Sequence, residues 1–148
     1  MSSLKAIAVI IIMMILAMPG YSQQTHHQQM QQQMHDMMQR MDGLMERTHV
    51  LNREMHRRME EAQNEQMQNQ YQMMHRFGEH MGMTLGNMKN AAERCNLMLR
   101  NQEMMRDDEI RRDMERMQRH LRDLTDEMDE ALQTMERMNE RLRSNEDQ

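Results

Sequence analysis

Residues 34–59 read MHDMMQRMDGLMERTHVLNREMHRRM, and the spacing of their apolar side chains decides the fold. Met34, Met37, Met41, Leu44, Thr48, Leu51 and Met55 alternate steps of three and four, the repeat of a helix that buries one stripe against a partner helix. With Met34 at heptad position a, the a positions are 34, 41, 48 and 55 and the d positions 37, 44 and 51. The phase runs unbroken across Asp42-Gly43, so a continuous helix is predicted despite the roughly 1 kcal/mol that glycine costs in a helix interior. The same register leaves a residue. His35, His49 and His56 fall at b, and Met38, Met45 and Met59 fall at e, on neighbouring rows outside the a/d seam. Core packing accounts for methionine at a and d, less well for methionine at e, and not at all for histidine at b.

The last third repeats the signal. Ile110, Met114, Met117, Leu121, Leu124, Met128, Ala131, Met135, Met138 and Leu142 keep the alternation without a slip, which predicts a second long helix with an a/d seam. Its flanking e and g positions are mostly neutral, with Glu127 and Arg141 the main charged exceptions. Neutral flanks suit an antiparallel hairpin or a four-helix packing rather than a charge-selected parallel dimer. Between the two seams, FGEHMGMTLGNM at 77–88 carries three glycines spaced by four, and a bend is expected at 77–87. The alternative is a helix that continues through a stripe of small residues at Gly78, Gly82 and Gly86. The expected organisation is a leader at 1–22, a flexible Gln/His-rich lead-in at 23–33, a first arm at 34–76, the bend, a second arm at 88–144 and a tail at 145–148. A single hairpin this thin buries little surface, so a homodimer is expected, and pairing two hairpins would give a four-helix bundle.

Composition narrows the class. After residue 22 there is no proline, the aromatics are Tyr71 and Phe77 alone, and Met, Gln, Glu and Arg dominate. Strands and their turns need other residues, and these four propagate helix, so the fold class is all-α. Lys5 followed by the apolar run Ala6–Met18 reads as an export signal, with cleavage expected after Ser22. Thirteen residues span roughly 20 Å, short of a bilayer core of about 30 Å, so no stable membrane anchor is expected after cleavage and the protein should be periplasmic or secreted. Without the leader, 18 basic groups face 24 acidic ones, and two aromatics offer no platform for bases, so nucleic acid is a poor partner.

Enzymatic readings fail on inventory. Ser144 stands in a charged tail, Cys95 lies in an apolar stripe, and Glu46-x-x-His49 is half of a di-iron motif without its second half. No HExxH or paired-cysteine zinc motif is present. Methionine and histidine remain. Seven of the eight histidines have a methionine three or four positions away, where about four would by chance, and these spacings share a helix face. Thioether sulfur and neutral imidazole make a soft, low-coordinate environment suited to Cu(I) or Ag(I). In an oxidising compartment, methionine also keeps its ligand where cysteine would be lost to disulfides. The bland alternative is a broad methionine core stripe with solvated histidines beside it.

The motifs His27-x-x-Met30, His35-x-x-Met38, His56-x-x-Met59, His80-x-x-Met83 and Met117-x-x-His120 resemble the HxxM and MxxH repeats of exported silver- and copper-binding proteins of the SilE and PcoE type. That resemblance implies soft-metal sequestration by a chain that gains helix on loading, whereas the heptads here predict helix without metal. Met45 and His49 complete the candidate ligands. Leu124-Thr125-Asp126-Glu127-Met128 is partly similar to the LTxxQ element of the Spy and CpxP helical-hairpin proteins, with methionine in place of glutamine. This second resemblance implies a periplasmic chaperone or metal-stress sensor with an adaptable methionine surface. A structural coiled coil whose methionines scavenge oxidants is a third reading. Cys95 leaves open an intermolecular disulfide across the dimer.

Overall fold

The computed structural model of the chain describes residues 19–146. It contains three long α-helices, α1 (Pro19–Glu61), α2 (Glu65–Arg100) and α3 (Asp108–Glu146), with one 3-10 turn at Met104–Arg106 before α3. The fold is all-α. The expected leader lies outside the described residues except for 19–22, which open α1. Residues 23–33, expected as a flexible lead-in, are helical, and Met30 among them is buried because it extends the seam of α1 by one more step.

The helices run up, down and up. Gln31 Nε2 donates to the Leu99 carbonyl at 3.3 Å, Asp42 pairs with Lys89, and the rings of His56 and His75 meet near the turn, which sets α1 antiparallel to α2. His26 lies 2.9 Å from Glu115, Arg40 2.7 Å from Asp126 and Arg47 2.8 Å from both Asp129 and Glu136, which sets α3 parallel to α1.

The chain turns in two places, and neither is the glycine segment. Helix α2 continues through 77–87, so the expected bend there is wrong, and the second arm expected at 88–144 is broken at 101–107. The physical reason is the seam. Tyr71, Met74, Gly78, Met81, Leu85, Met88, Ala92, Cys95 and Leu99 are all buried at steps of three and four, so burial holds α2 together across its glycines. Beyond Met55 the next seam positions are Arg58 and Ala62, and beyond Leu99 they are Gln102 and Arg106, so burial no longer supports either helix. Caps then end them. Asn64 accepts from the Met67 amide at 2.9 Å to start α2, and Asp107 accepts from the Glu109 amide at 2.8 Å to start α3. Among Gly43, Gly78, Gly82 and Gly86, Gly78 alone uses its missing side chain for packing. A Cβ there would overlap the Asn52 carboxamide, whereas one at Gly43 or Gly86 would meet nothing within 4 Å.

Every seam position of α1 from Met30 to Met55 is buried, Thr48 included, whose hydroxyl donates to the Leu44 carbonyl at 2.8 Å. Helix α3 is turned relative to its expected a/d seam. It buries the a residues Met114, Leu121 and Met135 with the e residues Gln118, Thr125 and Leu132, while the d residues Met117, Leu124 and Met138 are 43–48% exposed. Packing against two helices rather than one draws in a wider stripe, a plus one flank, and the polar e side chains are satisfied there. Gln118 Nε2 donates to the Met30 carbonyl at 3.2 Å, and the Thr125 hydroxyl to the Leu121 carbonyl at 2.7 Å.

Candidate functional site

The b and e rows of α1 lie along the joint with α2. Gln31, Asp42, Asn52 and His56, all on those rows, touch α2 through Leu99, Lys89, Gly78 and His75 respectively. This placement explains the methionines at e. Met38 packs half-buried against the core cluster that contains Met34 and Met88, and Met45 and Met59 against the one that contains Leu51 and Met81. They are the edge of the core before they are anything else.

The histidines differ from one another. His35 is exposed with its Nε2 3.1 Å from the Gln39 amide nitrogen, and His49 is exposed. His27 is half-buried, its Nε2 2.9 Å from the Gln31 amide nitrogen, while its motif partner Met30 is sealed in the core at 3% exposure and offers its sulfur to no solvent-borne ion. His80 and Met83 are exposed on α2, as are Met117 and His120 on α3. These candidate pairs are spread along three helices and stay separate. Among the described residues there is no group of three or more His, Cys, Asp or Glu side chains placed to hold a metal ion.

One pair is brought together across helices. The rings of His56 on α1 and His75 on α2 lie with centroids 5.5 Å apart at 44°, and Met59 stands one helical turn beyond His56 at the same joint. A centroid separation of 5.5 Å is near the spacing two imidazoles take about one shared ion, since a metal–imidazole nitrogen bond is about 2 Å. Each ring has a carboxylate one turn on. His56 Nε2 is 3.5 Å from Glu60, and His75 Nδ1 is 3.7 Å from Glu79, close enough to orient the rings electrostatically without a formed hydrogen bond. His75 escaped the sequence reading because it is the one histidine with no methionine at three or four positions, so a filter built on motifs within one helix excludes it. The signal that finds it is the register of the hairpin, which the misplaced bend concealed.

A second soft contact joins α2 to α3. Cys95 Sγ lies 2.9 Å from Met117 Sδ, and burial pushes the Cys95 thiol up from its ordinary value. Cys95 is 3% exposed, so the folded chain does not present it for a disulfide with a partner. No helix among the described residues is long and apolar enough to cross a membrane. No family model, no curated protein and no solved structure matches this chain.

Proposed function

We propose that this protein binds and sequesters soft metal ions, Cu(I) or Ag(I), in an exported compartment. The observation that carries the reading is the convergence of His56 and His75 from two helices, two imidazoles, to which Met59, one helical turn beyond His56 and half-buried, is the thioether we assign. Thioether and neutral imidazole favour monovalent copper and silver over hard cations such as Mg²⁺ or Ca²⁺. Low-coordinate ions of this kind need two or three donors, so they do not require a four-ligand cage. The remaining His/Met pairs, such as His35 with Met38, His80 with Met83 and Met117 with His120, supply weaker exposed sites along the helices. Capacity from many weak sites around one better site is the profile of a buffer rather than of an enzyme.

The test is an anaerobic titration with Ag(I) or Cu(I), following methionine methyl and histidine ring signals by NMR. The His56 and His75 rings and the Met59 methyl should respond first. His75→Ala should weaken the first binding event at least tenfold, whereas His35→Ala should leave it unchanged. Equal effects of the two substitutions would assign binding to motifs within single helices, and no response below millimolar metal would sink the reading altogether. Imidazole ligates only when neutral, so affinity should fall as the solution is acidified.

A further inference from the structure

The three joints of the bundle are unlike. The α1–α2 joint carries Asp42–Lys89 and the α1–α3 joint carries the Arg40 and Arg47 pairs, but no carboxylate–arginine pair joins α2 to α3 among the described residues. Along that joint runs an open apolar cleft of about 940 Å³, walled by Met73 and Phe77 of α2 and by Ala131 and Met138 of α3. Met73 is 64%, Phe77 53% and Met138 48% exposed. The exposed d residues Leu124 and Met117 continue the α3 wall beyond the cleft. A heptad seam kept through ten apolar positions, of which Met117, Leu124 and Met138 face away from the bundle, has a second helix face to satisfy.

The charges on the rim say what covers it. Glu127 lines one end of the cleft and Arg141 the other, fourteen residues and about 21 Å apart on one row of α3, with Thr134 midway between them. Among the described residues, neither Glu127 nor Arg141 has an ion-pair partner. We infer that a second copy of this chain docks here, its α3 antiparallel to the first about a two-fold axis at Thr134. That axis sets Glu127 against the second copy's Arg141 at both ends, and small Ala131 beside large Met138. A patch that is complementary to itself under a two-fold rotation is what an isologous dimer requires. Glu130 adds a further negative charge at the Glu127 end, reinforcing the attraction for the opposing arginine.

The inference is independent of metal binding and is tested on purified metal-free protein by sedimentation equilibrium across about 1–200 μM. The wild type should be dimeric within that range. Glu127→Arg places like charges at both ends and should weaken dimerisation at least tenfold, and Arg141→Glu should do the same. The double charge reversal E127R/R141E should restore it, with helical circular dichroism unchanged throughout. The inference is overturned if the wild type stays monomeric at 200 μM, including if it then suppresses aggregation of an unfolded client through the cleft. It is equally overturned if single and double reversals dimerise alike.

Discussion

Gly43 and Gly78 occupy interior positions of long helices, yet substitution should move stability in opposite directions. At Gly43 an added Cβ enters open space and φ is helical, so Gly43→Ala removes backbone freedom from the unfolded chain at no cost to the fold. The expected gain is about 1 kcal/mol, or roughly 2–4 °C in Tm for a chain of this size. At Gly78 the added carbon takes the space of the Asn52 carboxamide, whose Oδ1 is buried against α2 with no hydrogen-bond partner. Gly78→Ala should therefore lower Tm, and Asn52→Ala in the same chain should recover the propensity gain, because the obstruction is one side chain and not backbone. Thermal melts of the three variants decide it: an equal rise for Gly43→Ala and Gly78→Ala would show that the close approach at Asn52 carries no weight.

At the scale of the helix, the pairing of α1 with α3 rests on a row of arginines whose partners titrate in acid. Hydrogen bonding to Glu136, and then to Asp129, raises the Arg47 guanidinium above its ordinary value, and the same contact holds the Asp129 carboxyl below its own. A carboxylate whose folded pKa is depressed stabilises the fold at pH above its unfolded value, about 3.9, and that stabilisation is lost as pH falls through the lower folded value. Wild-type stability should therefore decline below about pH 4, and Asp129→Asn, which cannot ionise, should remove part of that decline while lowering stability at pH 7. Chemical denaturation at pH 3 and pH 7 measures both, and an identical pH slope in the variant would exclude the pair as a source. The same helices show what the residue pattern conveys. The α1 seam was legible because every a and d residue there is also a core residue. The turns were not, because three glycines drew the expectation to 77–87, while the true marks were polar residues at seam positions, Arg58 before Asn64 and Gln102 and Arg106 before Asp107. Met38, Met45 and Met59 looked surplus for a similar reason. A two-stranded register has no place for row e, whereas packing within a three-helix bundle has one. His75 needed the correct hairpin register before it could be set opposite His56.

For the whole molecule, the deciding feature is a core built largely from thioethers. Among the described residues, eleven of the twenty buried hydrophobic residues are methionine, so the side chains that hold the bundle together are the type proposed to bind metal, and burial separates the two roles. Oxidation to the sulfoxide turns an apolar side chain polar, which is tolerated on the surface and not in a core. Brief exposure to hydrogen peroxide should therefore modify Met73 and Met83, at 64% and 57% exposure, well before Met34, Met41 and Met55, all fully buried, with helical circular dichroism intact. The buried set should react only as fast as the bundle opens, so denaturant should erase the order. Met59 is the informative residue. It is half-buried one helical turn beyond His56, and bound Ag(I) should protect it by occupying a sulfur lone pair. Peptide mass spectrometry with and without Ag(I) reads this directly. Protection confined to Met59, with Met73 unaffected, separates a site at the α1–α2 joint from diffuse thioether binding. Uniform protection of every exposed methionine would count against a site made by His56 and His75.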